Sequence, residues 1–516
     1  MPTFMTKSIR RAMVTVLLTV PALTFACTNL TEVPRDALTP DNAFKTDAEV
    51  LAGVASVYAG LRGTMWGYYN LSEVSTDEMI VPTRGQDWFD NGRWLEIYKQ
   101  TWSANSGSAL DDMNGVWNDM FSGVARANLL IEVINTAGGA NKDETLAELR
   151  TLRAWYYYVL QDFFGGVPLV TDTKVEKRAR VSRDSIYRFL ITELNAARTA
   201  LPETRPASDY GRITRGAANA ILANLYVNAQ VFGGTVTASG LTKGPARWQD
   251  AIDAADRVIN SGKYTLNPNW RKNFTPDNES SPENIFVIAH SATDGLGMNL
   301  PMRTLHYNQL TVQGGPWNGF ATIADTYRAF DPADQRRGIF LVGQQNSFDT
   351  NLPVKDRAGN PLVFTETIGS ETAANEAEGP RFNKFVPLPT APSGSGHPND
   401  YPYFRLAEMY LIKAEALNEL GNFSGAAAQV NIVRSRQFAT PNPVVGTSQA
   451  QMRQVILQER LFEFVAEGKR RQDLIRNGSY TDARRFKTTQ QAYKVLFPIP
   501  LTQIQTNPLL QQNAGY

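Results

Sequence analysis

Two couples of neighbouring stretches constrain the fold more than any other feature: residues 214–231 with 248–261, and residues 404–420 with 423–436. Each stretch carries apolar residues at helical spacing, and the second couple turns tightly at Gly421-Asn422. The first stretch sets Ala217, Ala218, Ala220 and Ala223 where a neighbouring helix can come close. A helix pair of this size cannot bury its apolar face alone, so such pairs must stack, and their size and alanine content resemble tetratricopeptide units. The pattern predicts a mainly α fold of about four tetratricopeptide-like pairs, with long irregular loops and a few short strands.

Further helices are expected at 41–61, started by Thr39-Pro40-Asp41, and at 109–135. Another opens with the capping-box arrangement of Asn141 and Glu144 and ends at Gly165-Gly166. Its stripe of Leu149, Leu152, Tyr156, Val159, Leu160 and Phe163 points to a buried face, and Trp155 to Tyr158 read as packing. A helix from Ser182 runs until Pro202 stops it. Residues 265–400 hold most of the long loops and short extended runs such as Ile285 to Ile288, and loops of that length are the natural place for ligand contacts.

The N-terminus reads as an export signal: Lys7, Arg10 and Arg11 precede a mostly apolar run over 12–25, interrupted by Pro21 and short for a membrane span. Cys27 is the only cysteine and follows Leu23-Thr24-Phe25-Ala26, which resembles a lipobox, so residues 1–26 are expected to be removed and Cys27 lipidated. Cleavage at Ala26 that leaves a free thiol is the alternative. Residues 27–40 then form a tether, and 41–516 a single body with an N-terminal part to about 235 and a C-terminal part from about 265. Thr28 carries no acidic inner-membrane retention signal, which predicts an outer-membrane lipoprotein. With 51 Lys+Arg against 50 Asp+Glu, the chain has no field to gather nucleic acid, and a lone cysteine excludes a disulfide framework.

Motifs for metalloproteases, serine hydrolases, P-loops and dinucleotide sites are missing, and His290, His306 and His397 sit in separate contexts. No catalytic residue, metal or cofactor is therefore expected. The carboxylates Glu73, Asp77, Glu78, Asp87 and Asp90 leave a glycosidase as a minor alternative, since two carboxylates at the right separation could cleave a glycosidic bond. The stronger signal is aromatic. Residues 65–102 interleave Trp66, Tyr68, Trp88 and Trp94 with polar groups such as Asn91, and Tyr307, Trp317 and Asn318 form a second group. Sugar rings need flat apolar faces ringed by planar hydrogen-bonding groups, so these eight residues are the candidate ligand contacts.

Four separated runs, in order, resemble the SusD/RagB family of outer-membrane nutrient-uptake lipoproteins. They are Arg150 to Tyr158 followed by Phe163 to Val170, Phe404 to Ala416, Glu459 to Leu474, and Leu496 to Pro500 with Asn507-Pro508. The runs Thr76-Asp77-Glu78 and Pro82 to Trp88 also look like one branch of that family. The resemblance implies a non-catalytic lid that captures an oligosaccharide or polysaccharide, or in some members a peptide, above a SusC-like TonB-dependent β-barrel transporter. A scaffold that binds only protein is the competing reading. The family fixes no ligand motif, so the aromatic candidates rest on composition and loop context. The matching charged residues read as structural ion pairs: Glu463 and Glu467 with Arg470 and Arg471, and Arg405 with Glu408, at helical spacing.

Overall fold

The computed structural model describes residues 46–105, 107–137, 141–293 and 295–516. The export signal, Cys27, the tether and the helix start at Thr39-Pro40-Asp41 lie outside the described residues. Helices of seven residues or more are α1 (Asp47–Ala59), α2 (Gly67–Glu73), α3 (Arg93–Lys99), α4 (Leu110–Ala137), α5 (Lys142–Phe164), α6 (Arg183–Ala197), α7 (Arg215–Val227), α8 (Trp248–Ile259), α9 (Leu406–Glu419), α10 (Phe423–Arg434), α11 (Gln449–Phe464) and α12 (Arg470–Asn477). The strands are β1 (Thr235–Thr237), β2 (Gly240–Thr242), β3 (Asn284–Ile288), β4 (Phe340–Leu341), β5 (Gly343–Gln344), β6 (Val363–Phe364), β7 (Arg381–Phe382) and β8 (Tyr401–Arg405). They form antiparallel two-stranded ribbons, β1–β2, β3–β8, β4–β7 and β5–β6.

Helices α4 to α11 pack each on the next, and the two couples expected from the sequence are α7 with α8 and α9 with α10. Local chemistry starts several helices. Thr46 and Glu49 form a reciprocal capping box on α1, and the Ser182 hydroxyl accepts the Ser185 N–H at 3.0 Å at the head of α6. The capping box expected at Asn141 does not form: Asn141 sits at φ 59°, and Glu144 pairs with Arg205 instead. In α7 all four expected alanines are fully buried, and α8 buries Ala251, Ala254 and Ala255, so the two backbones can approach closely. The apolar core of α9, α10 and α11 includes Leu411, Ala414, Val430, Val433, Met452 and Ile456.

Between α8 and α9 the chain leaves the stack and makes the irregular segment containing β3 to β8. It returns through the β3–β8 ribbon, which seats on α5: Trp155 lies 4.2 Å from Tyr403, centroid to centroid, and meets Phe286 and Phe404 edge-on. Phe404 and Arg405 thus belong to a strand rather than to the helix expected there.

Charge fastens this segment to the stack. Arg405 at the end of β8 binds Glu283, Glu463 and Glu467; Arg336 binds Asp334, Glu459 and Glu463; Arg436 binds Glu283 and Glu463. Lys384 closes the network on Glu467. Burial alone would raise the Glu463 carboxyl, but Arg436, Arg405 and Arg336 outweigh it and hold it at about 2. The ion-pair role expected for these residues holds, but the partners differ. Arg470 pairs with Asp77, Arg471 with Asp162, and Glu408 with Arg460 and Lys469. The reason is that α11 ends at Phe464 and the chain turns left-handed at Ala466 and Gly468, φ 64° and 74°, so Glu467 lies outside both helices and its helical spacing to Arg470 is broken.

The same turn caps a carboxyl pair. Glu78 accepts the Ala466 N–H at 3.1 Å and Glu73 accepts the Gly468 N–H, and both carboxyls lie out of contact with water. Burial pushes Glu73 from 4.5 to about 7, and burial with the Glu73 charge raises Glu78 well above the usual carboxylate range.

Two outcomes follow from these groups. Arg405→Ala removes the one cation shared by Glu283, Glu463 and Glu467, leaving these buried carboxylates under-compensated, and lowers stability by about 3–5 kcal/mol, whereas Arg188→Ala, which breaks the exposed pair with Asp184, costs about 0–1 kcal/mol, as denaturant melts would show. Because the folded state raises the Glu73 pKa, its contribution is full below about 4.5 and is lost as pH rises through about 7. Glu73→Gln is therefore expected to flatten the fall in stability across that window relative to the unmodified chain, in melts run as a pH series.

Candidate functional site

Three distant segments meet on one face. Ile80 and Ala321 exchange backbone hydrogen bonds at 2.8 and 2.9 Å, joining the stretch that carries Trp88 to the one that carries Trp317. Thr83 donates to Glu371 and accepts from Ala374, which adds the loop carrying Glu376.

Trp88 is the centre of this face and adopts φ 62°, a left-handed conformation costly for a bulky side chain. Asp90, Asn91 and Asn318 are left-handed too. Trp88 is held there by several contacts at once. Its indole N–H donates to the Trp317 carbonyl at 2.7 Å, its ring meets Trp94 and Phe320 edge-on at 5.4 and 5.5 Å, and it packs over Gly319, which leaves no room for a Cβ. Strain retained by such over-determination gathers at ligand clamps and active sites.

Trp66, at the junction into α2, lies beside this centre. The Arg303 guanidinium carbon sits 4.5 Å from its ring centroid and that of Arg93 at 5.7 Å, while the residue keeps 41% of its surface in water. Arg93 also stacks 4.8 Å from the Trp94 ring and is fixed by a bidentate bond to Asp112, so it links the Trp66 and Trp88 parts of the face. Phe89, the residue after Trp88, is 55% exposed.

On the other side of Trp88 lies a polar cluster. The Tyr307 hydroxyl donates to Asp87 at 2.7 Å, Arg357 donates to the same carboxylate at 2.7 Å and to Glu376, and its guanidinium stacks 4.2 Å from the Tyr307 ring. Partial burial would raise Asp87, but the Tyr307 and Arg357 hydrogen bonds outweigh it and hold it below the usual carboxylate range. Glu376 is lowered in the same way, its burial outweighed by the Arg357 backbone N–H and side chain and by His306. Burial lowers His306, so this imidazole is neutral at neutral pH. Both carboxylates are thus ionised there and the cluster is rich in ready acceptors and donors.

Of the eight sequence candidates, Trp66, Trp88, Asn91, Tyr307 and Trp317 come together at or near the surface. Tyr68, Trp94 and Asn318 do not reach solvent. Tyr68 stacks on Phe163 and meets Tyr403 edge-on in the core, and Trp94 supports Trp88 with its N–H spent on Asp90. Asn318 spends its amide on Arg381 and the Glu376 carbonyl. Sequence reasoning missed Arg303, Arg357 and Glu376, for which only their place in the long irregular segment gave a signal. Among the described residues no group of three or more His, Cys, Asp or Glu could hold a metal ion, and no helix is long and apolar enough to cross a membrane. A separate cleft beside Trp248 is lined by three guanidinium groups that all have ion-pair partners, Arg453 with Glu419, Arg460 with Glu408 and Asp473, and Arg476 with Glu415.

Stacked helix pairs carrying an irregular segment with an aromatic, hydrogen-bonding face define a helical-repeat scaffold with a surface suited to stacking. A family model described as the SusD family matches residues 248–516, and one described as starch-binding associating with outer membrane matches residues 38–227. The chain belongs to the SusD family. It is 24% identical to SusD-like protein P25 of Formosa agariphila, covering 95% of this chain and 97% of that one. It is 26% identical to the starch-binding protein SusD of Bacteroides thetaiotaomicron, covering 87% and 85%. Its fold matches surface glycan-binding protein A of Bacteroides thetaiotaomicron, solved with laminarihexaose, with TM-score 0.73 at 21% identity over 91% of this chain and all of that one.

Adding one methyl tests the packing of the face. Gly319→Ala drives a Cβ into the Trp88 indole, and the expected result is a shift in tryptophan emission with a loss of about 1–3 kcal/mol in denaturant melts.

Proposed function

We propose that this protein is a cell-surface glycan-binding lipoprotein, anchored through Cys27, that acts as the lid of a SusC-like TonB-dependent importer in the outer membrane. It captures an oligosaccharide and hands it on unchanged. The observation that carries this reading is the strained Trp88 at the centre of an aromatic face assembled from three segments, with Trp66 and Trp317 beside it and hydrogen-bonding groups along one edge. Rings offer stacking surface for the C–H faces of a pyranose, and Asp87, Arg357, Glu376 and Asn91 offer partners for its hydroxyls.

Relatives support the assignment, since a starch-binding protein and a glycan-binding protein with bound laminarihexaose share the family or the fold. Four of the five carboxylates that raised the glycosidase alternative are engaged elsewhere, Glu73 and Glu78 with the buried turn, Asp77 with Arg470 and Asp90 with Trp94, while Asp87 lies in the face and is bound to Tyr307 and Arg357. A lid that closes on its barrel traps the ligand before energy-dependent uptake, and its role needs differential binding between open and closed states rather than bond chemistry.

The test uses the mature chain carrying Cys27→Ala, titrated calorimetrically against a panel of oligosaccharides and polysaccharides, with the recovered sugars assayed for new reducing ends. Saturable binding of intact sugar is expected, and Trp66→Ala or Trp317→Ala weakens it by roughly tenfold or more, the loss of one aromatic contact. Absence of binding across the panel, or release of reducing ends, contradicts the proposal.

A further inference from the structure

If the aromatic face takes glycans as proposed, its charges decide which ones. Asp87 and Glu376 flank Arg357, and both spend their charge on it: Asp87 takes Nη2 at 2.7 Å, while Glu376 takes Nε and also the Arg357 backbone N–H at 3.1 Å. Arg357 remains 50% exposed along its side chain, so the cluster faces water, and its two carboxylates outnumber its one guanidinium.

The other guanidinium groups close to the face are each already engaged within the protein. Arg93 is held bidentately by Asp112. Arg303 is buried and donates to the Met65 carbonyl, Asn70 and Asn299. Arg84 donates to the carbonyls of Asn375 and Glu378, and Arg381 to Asn318 and the carbonyls of Glu376, Glu378 and Gly379. On the loop that carries Arg357, Lys355 and Asp356 are neighbours of opposite sign.

We propose that Asp87, Arg357 and Glu376 form a clamp of net negative charge that selects uncharged glycans, reading neighbouring sugar hydroxyls and turning away uronate and sulfate groups. A hydroxyl both donates and accepts, so it can give a hydrogen bond to either carboxylate and take one from Arg357 without breaking the clamp. A carboxylate or sulfate only accepts. It must pull Arg357 away from Asp87 or Glu376 and then lie beside the carboxylate it displaced, a like-charge contact inside a partly desolvated site. The clamp thereby discriminates by what it repels as well as by what it holds.

The experiment compares a neutral oligosaccharide that binds with the same oligosaccharide oxidised at C6 to the uronate, by calorimetry on the Cys27→Ala chain at low and raised salt. The oxidised sugar is expected to bind about tenfold more weakly or worse. In Asp87→Asn/Glu376→Gln, which leaves Arg357 uncompensated, that ratio is expected to shrink or invert, with binding of the oxidised sugar now salt-sensitive. Melting temperature reports whether the double variant is folded, and Asp87→Asn alone should move the ratio in the same direction. Equal or tighter binding of the uronate by the unmodified chain overturns the clamp and leaves glycan capture standing. No binding by either sugar, nor by any other glycan of the panel, overturns glycan capture and the clamp with it.

Discussion

Glu463 accepts hydrogen bonds from three guanidinium groups that reach it from three parts of the chain: Arg405 at the end of β8, Arg336 from the irregular segment, and Arg436 after α10. Everything outside the helix stack is referred to this point. Ion pairs out of water contribute little over an apolar core, but removing one partner strands a charge that has no other place to go. The network therefore acts less as a source of net stability than as a constraint on where the segment between α8 and α9 can sit. Apolar contacts are non-directional and would tolerate sliding, whereas a guanidinium shared between carboxylates does not.

That constraint matters because the aromatic face is built on the irregular segment and on the stretch between α2 and α3, not on the repeats. Its rings are useful only if held in register, and the backbone there lies in costly conformations at Trp88, Asn91 and Asn318. The hydrogen bond from Trp88 to the Trp317 carbonyl, the Ile80–Ala321 bridge and the packing of Arg303 beneath Trp66 together make that strain affordable. A regular stack thus supplies rigidity, the buried charges transmit it, and the loops present the surface.

The helices were legible in the sequence because periodicity and caps are local: Ser182, Thr214 and the alanines of α7 act within a turn or two of themselves. Ion-pair partners were not. Glu467 and Arg470 stand at helical spacing, yet the chain between them is left-handed at Gly468 and outside any helix, which sends each to a different partner. The aromatic candidates divide for a similar reason. Trp66 and Tyr68 are two residues apart and alike in chemistry, but Tyr68 meets Phe163 and Tyr403 across the core while Trp66 turns outward over Arg303. Burial is decided by long-range contacts that spacing does not encode. Arg357 and Glu376 had no pattern to mark them, since a lone charge in a loop becomes part of a site only through what folds against it.

The central claim is that the three-segment face around Trp88 is where the ligand binds. Hydroxyl-radical footprinting of the folded chain, with and without a bound oligosaccharide, tests it most directly by reading side-chain accessibility residue by residue. The account predicts protection of Trp66, Trp88, Tyr307 and Trp317 together, with Trp248 in the helix stack unchanged. Protection confined to Trp248 and its surroundings, with the four face residues as reactive as before, would contradict it.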